Sequence, residues 1–187
     1  MDAIIRDPNT GDGVKVNEEG MAKACCVYQS QAQHTNVTHE EMFTMLIDET
    51  PAAIDDCIAY IQNGKDVDMI IDSIDIPDVG ADMMLYIQLG DSGSRNAAGN
   101  VIPVNLNSGS GITANGNSIF ETGVDLDGGA ATLAGGAESH RIKALAAGEH
   151  VHYDFPGKII LQKNQTLTLW GDVSNTVLAF ISFHYHD

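Results

Sequence analysis

Hydrophobic and polar positions alternate with the two-residue period of a β-strand through most of the chain from Glu41 onward. The clearest case is the last segment. Val177, Ala179, Ile181, Phe183 and Tyr185 fall on one face there, and Leu178, Phe180, Ser182, His184 and His186 on the other. A strand this apolar must be paired and covered, so it is expected inside the protein's own sheet. Other apolar segments of strand length are Met42–Ile47, Cys57–Gln62, Val67–Ile76, Met83–Leu89, Val101–Leu106, Ser118–Val124, Ser139–Leu145, Val151–Phe155, Lys158–Gln162 and Thr166–Trp170. Turn formers separate them, among them Asn63-Gly64, Pro77-Asp78, Gly90-Asp91, Asn115-Gly116 and Gly171-Asp172. Asn63-Gly64, between Ile58/Tyr60 and Val67/Met69, reads as a hairpin loop. Helix is expected only at Thr38–Met45, opened by the capping-box pattern Thr38-His-Glu-Glu, and at Pro51–Ala59. Around ten short strands with Gly-rich turns predict an all-β sandwich or barrel.

The first 38 residues have a different texture. Asp7 to Gly13 is dense in turn formers, Val14–Val16 and Ala22–Tyr28 read as two short strands around a turn at Asn17–Gly20, and Gln29–Thr38 is polar. Residues 1–38 are therefore expected to form an arm with a short hairpin, and residues 39–187 the β body. Asp7-x-Asn9 with Asp12-Gly13 has some features of a calcium loop but lacks the regular ligand spacing and the closing Glu, so a plain turn is expected. Three stretches, Ser92–Asn100, Asn107–Asn117 and Asp127–Glu138, are rich in Gly, Ala, Ser and Asn. None follows a strand and opens a helix, and no Gly-Lys-Ser/Thr element is present, so they read as exposed loops rather than phosphate cradles.

Charge narrows the range of partners. A formal net charge of −17, with only nine Lys and Arg, repels phosphate backbones and anionic lipid. Neither nucleic acid nor membrane is therefore an expected partner. No apolar run approaches bilayer length, and Met1-Asp-Ala-Ile-Ile-Arg-Asp7 does not read as a secretory signal. Cys25, Cys26 and Cys57 make neither a disulfide framework nor a Cys-x-x-Cys motif, and are expected to be small buried apolar residues.

Five of the seven histidines come late: His140, His150, His152, His184 and His186. His150-x-His152 and His184-x-His186 each place two imidazoles on one strand face, as β-barrel metal sites do. Gly148-Glu-His-Val-His152 is similar to part of the first cupin motif. The position of the cupin glutamate holds Pro156 or Gly157 here, and the second motif has no match. Asp154 could substitute, giving a set of His150, His152, Asp154 and one late histidine. The competing reading makes these ordinary strand histidines, with His184 and His186 gathered at a symmetry axis. Nucleophilic chemistry has no comparable pattern, since Gly-x-Ser-x-Gly is missing and the acidic pairs Glu40-Glu41, Asp55-Asp56 and Asp66-x-Asp68 flank apolar runs.

Three stretches carry a resemblance. Gly13-Val-Lys-Val-Asn17 with Ala22-Lys-Ala24, then Ile58-Ala-Tyr-Ile-Gln-Asn63 followed by Asp68-Met-Ile-Ile-Asp72 and Ile74, and finally Phe183-His-Tyr-His-Asp187 resemble small tailed-phage virion proteins. The likeness is one of texture over most of the chain. It implies a jelly-roll-like antiparallel β-sandwich with an extended N-terminal arm, serving without enzymatic activity or cofactor as a head decoration (cement) protein. It further implies a homo-oligomer, a trimer by preference, seated between major capsid proteins and contacting them at least partly through the arm. Such a chain is made in the host cytoplasm and ends on the capsid surface. Two alternatives remain open: a tail or fibre module binding a host receptor or glycan through the Gly-rich loops, and a cupin-like metal-dependent enzyme using His150 and His152.

Overall fold

The computed structural model describes residues 4–6, 13–15, 35–54, 56–91, 95–96, 99–114, 116–126, 133 and 137–186. The chain divides into two compact units, Met1–Ser30 and Gln31–Asp187. In the first unit β1 (Ile4–Arg6) pairs antiparallel with β2 (Gly13–Lys15), Ile5 opposite Val14. The strand at Val14 was expected to pair forward, with Ala22–Tyr28. Val14 pairs backward with Ile5, on the other side of the run of turn formers at Asp7 to Gly13. Ala22–Tyr28, Cys25, Cys26, Asp7, Asn9 and Asp12 lie outside the described residues.

The second unit opens with a π-helical turn, Thr35–His39. The strands that follow are β3 (Met42–Glu49), β4 (Asp56–Cys57), β5 (Ala59–Gln62), β6 (Asp68–Val79), β7 (Met83–Asp91), β8 (Arg95–Asn96) and β9 (Gly99–Asn100). Next come β10 (Val104–Asn105), β11 (Ile119–Thr122), β12 (Val124–Leu126), β13 (Ala137–Leu145), β14 (Val151–Leu161), β15 (Gln165–Gly171) and β16 (Val177–His186). They form a five-stranded sheet, β10-β3-β16-β6-β14, a six-stranded sheet, β13-β7-β15-β5-β11-β9, and a small third sheet, β4-β12-β8.

Four antiparallel pairs explain this order. β3 pairs with β16, β5 with β15, β6 with β14 and β7 with β13. The first half of the unit thus pairs with the second half in reverse order, like one long hairpin rolled up so that alternate pairs fall in alternate sheets. That is the jelly-roll form of the β-sandwich. The last strand, β16, is paired inside the sheet as its apolar alternation predicted, and it takes the centre of the five-stranded sheet, between β3 and β6. Its inward residues Val177, Ala179, Ile181, Phe183 and Tyr185 are buried together with Phe43, Met45 and Ile47 of β3 and Ile74 and Ile76 of β6. They meet Ile61, Leu85, Ile87, Leu167, Leu169 and Phe120 from the six-stranded sheet. Phe183 stacks on both Phe43 (5.6 Å) and Phe120 (5.3 Å), joining the two sheets through one column of rings.

Several local expectations are corrected. Asn63-Gly64 is no hairpin loop, and the segments on either side of it form no pair. It carries the chain from the six-stranded to the five-stranded sheet. Asn63 is fully buried, and its Nδ2 donates to the carbonyls of Val67 and Leu161 (2.8 Å each). Its backbone N–H donates to Gln165 and its carbonyl accepts from Asn164, so one residue stitches both sheets. A Cβ on Gly64 would stand 2.0 Å from the Asn117 carbonyl oxygen, a contact only glycine avoids.

The helix expected at Thr38–Met45 gives way to β3 because Met42–Glu49 gains two strand partners and a core face, while Glu40 takes a left-handed φ of 58° that stops any helix. Likewise Pro51–Ala59 forms a turn followed by β4 and the start of β5. Pro77-Asp78 lies within β6, at a bulge where the ladder to β16 slips by one residue, a place that tolerates a missing N–H. Val151–Phe155 and Lys158–Gln162 belong largely to one strand, β14, which bulges away from β6 between Asp154 and Ile159.

Candidate functional site

Of the late histidines, His140 lies on β13 of the six-stranded sheet, while the outer face of the five-stranded sheet holds the others and several exposed apolar side chains, and it divides into two halves. On the β6 and β14 side the groups are titratable. His152 of β14 lies opposite Asp75 of β6, and strand alternation turns both outward with Asp154. His150 Nε2 contacts Asp75 Oδ1 at 2.8 Å, His152 Nδ1 contacts the same oxygen at 3.2 Å, and His152 Nε2 contacts Asp154 Oδ1 at 3.0 Å. The His150 hydrogen bond, with His152 behind it, holds the Asp75 carboxyl below its usual range. Asp154 and then Asp75 hold the His152 imidazole above its own.

The structure therefore brings His150, His152 and Asp154 together, but around Asp75 and without a late histidine. His184 is buried elsewhere on β16, its Nδ1 2.8 Å from Asp72 Oδ2 and its Nε2 without a partner. A second bulge of β6 explains the pairing: the ladder to β16 steps from Ser73 to Ile71, leaving Asp72 as the extra residue that turns toward His184. His186 is exposed and borders a shallow hollow with Asp66, Val67 and Asp68. Among the described residues, no three His, Cys, Asp or Glu side chains are arranged to hold a metal ion. Asp75 and Asp72 were missed in the sequence. Their signal was a lone carboxylate recurring within an Ile- and Met-rich strand, Asp68 to Val79.

On the β10 and β3 side the same face is apolar. Val104 lies opposite Thr44, and Phe180 opposite Leu46, so strand pairing sets these side chains on one surface. Ile102, Val104 and Leu106 are 67%, 62% and 44% exposed, and Leu46 is 49% exposed, while Pro103 between them is buried. The Leu106 N–H donates to the Met42 carbonyl (2.8 Å), which brings Leu106 beside Met42. Val37, 67% exposed, comes from the π-helical turn, which packs against β16 and is tied to the β10 side where Asn107 Nδ2 donates to the Asn36 carbonyl. No charged side chain stands among Ile102, Val104, Leu106, Met42, Thr44, Leu46, Phe180 and Ser182. Charge borders this area on two sides: Asp75 of β6 lies opposite Phe180, and one row on Leu178 lies between Asp48 and Asp78.

The remaining candidates have structural surroundings. Cys57 is buried beside Tyr60, Val124, Leu126 and Leu133, and burial, with Asp56 and Asp125 adding to it, pushes its thiol up to about 12. At that value the nucleophilic thiolate is essentially unpopulated at neutral pH. Tyr185 donates to the Ala114 carbonyl (3.0 Å), lies within reach of Ser118 Oγ (3.1 Å), and carries Lys65 Nζ 3.7 Å above its ring. With the Gly64 N–H donating to Ser118 Oγ, these contacts fasten the end of the Gly-rich stretch Asn107–Asn117 to the body. The stretch Ser92–Asn100, expected as a bare loop, contributes β8 and β9 to two sheets. Among the described residues, no helix is long and apolar enough to cross a membrane. The chain matches no protein-family model, no curated protein and no solved structure.

Proposed function

We propose that this chain is a non-enzymatic structural component of a tailed-phage virion, a decoration protein that seats between major capsid proteins and stiffens the head. The observation that carries the reading is the outer face of the five-stranded sheet. A jelly-roll body with an uncharged apolar area, in a chain of net charge −17, offers a place to dock and little to react. The resemblance to small phage virion proteins supports the same reading, as does the division of the chain into a short N-terminal unit and a large β unit. The first unit acts as an arm that holds the capsid protein, and the body assembles with copies of itself, three by preference. Symmetry then repeats each modest contact around the shell, so weak interfaces add up.

Co-sedimentation with undecorated heads tests the division of labour. The full chain is expected to pellet with the heads, and a chain lacking residues 1–30 to stay soluble and folded. Head binding by the truncated chain would overturn the role given to the arm.

A further inference from the structure

We infer that the apolar half of this face, Ile102, Val104 and Leu106 beside Leu46 and Phe180, is a self-association surface met by a second copy of this chain. The inference rests on the assembly reading above and names the surface that reading requires.

Three observations favour a second copy. The first is electrostatic. Two chains of net charge −17 repel wherever their carboxylates face each other, and the β10 and β3 half of this face carries none from Leu46 to Met42; carboxylates border it at Asp48 and Asp78 and at Asp75, which lies opposite Phe180. A basic partner would find no carboxylate here to draw it, and would dock on the acidic surroundings instead.

The second is the edge. Val104 and Asn105 pair with β3 on one side only, so β10 is an edge strand, but Pro103 removes a backbone donor beside it. Strand addition at that edge is therefore spoiled, and packing through the face is left. The third is the alternation itself. The exposed positions Ile102, Val104 and Leu106 are all branched aliphatics, where a solvated edge strand would carry Lys, Glu or Thr.

The electrostatic argument fixes the salt dependence. Raising NaCl from about 0.1 M to about 1 M shortens the Debye length from about 10 Å to about 3 Å, which screens the like charges around the patch and tightens self-association. An oppositely charged partner would be released by the same change.

The test is sedimentation velocity on the full chain at low and high salt, with Leu46→Asp and Val104→Asp as variants and Ile160→Asp as a control. Ile160 is an exposed apolar residue on β14, at the opposite edge of the same sheet. The wild type and Ile160→Asp are expected to form the same discrete oligomer, strengthened by salt. Each patch variant should weaken association by roughly tenfold or more, as for a residue central to an interface. Circular dichroism should match the wild type, and Val104→Asp, on a two-residue edge strand, keeps the test open should Leu46→Asp fail to fold. A wild type that stays monomeric at high salt would overturn the inference, as would patch variants that associate like the control. Head binding is read separately. Oligomers that ignore heads would sink the virion reading alone, and monomers that decorate heads would sink this surface alone.

Discussion

Phe183 shows what one side chain does for the sandwich. It is fully buried, stacks on Phe43 within its own sheet and on Phe120 across the core, and has Tyr185 edge-on at 5.9 Å. Phe183→Ala leaves a ring-sized void between two sheets that cannot collapse around it, so a loss of about 3–5 kcal/mol in denaturant unfolding is expected. The outward histidines act on a smaller scale and through pH. The His152 value is raised from 6.5, so its contribution is complete below that ordinary value and fades as pH rises through the higher folded one. The Asp75 value is lowered from 3.8, so its contribution is complete above 3.8 and fades as pH falls through the lower folded one. Both are in force between 3.8 and 6.5. An NMR titration of the His152 ring should show a midpoint above 6.5. Asp154→Asn should move it back further than Asp75→Asn does, since Asp154 is the larger cause. An unshifted wild-type midpoint would contradict the contact geometry.

At the scale of elements, the corner at Asn63-Gly64 decides which sheet β5 and β6 each join. Gly64→Ala forces a Cβ against the Asn117 carbonyl, and Asn63→Leu strips a donor from the partly buried Val67 carbonyl and from the buried Leu161 carbonyl, the latter at about 1–3 kcal/mol if left unsatisfied. Both variants are expected to lower the thermal midpoint, Asn63→Leu with loss of cooperativity between the sheets. This corner also marks what the sequence could reveal. The strand texture was legible because its alternation is local, and β16 was legible as a strand inside the sheet because so apolar a tail must be paired and covered. Pairing was not legible. Asn63-Gly64 has the composition of a hairpin loop, and only the distant Leu161 and Gln165 make it a crossing. Thr38–Met45 carries a helix-start pattern, and distant β16 overrides it. The site behaved in the same way. His150, His152 and Asp154 are neighbours in sequence and were seen together, while Asp75 reaches them only through the β6–β14 ladder, and Asp72 reaches His184 only through a bulge. The apolar face was hidden because Ile102, Val104 and Leu106 read as one more core strand until Leu46 and Phe180 are set beside them in the open.

At the scale of the molecule, three properties come together: a rolled-up hairpin that makes the β body, a net charge of −17 that favours solubility, and an apolar half of one sheet face, the surface proposed for self-association. In the proposed role these properties would serve together, because a phage head would offer each copy identical neighbours. The most direct measurement is therefore the number of chains bound per undecorated head as the purified full chain is titrated. Saturable binding at a fixed ratio to the capsid protein, in whole multiples of the oligomer found in solution, is the predicted result. Binding that never saturates, or no binding by a chain that is folded and oligomeric, would contradict the claim that this protein decorates a phage head.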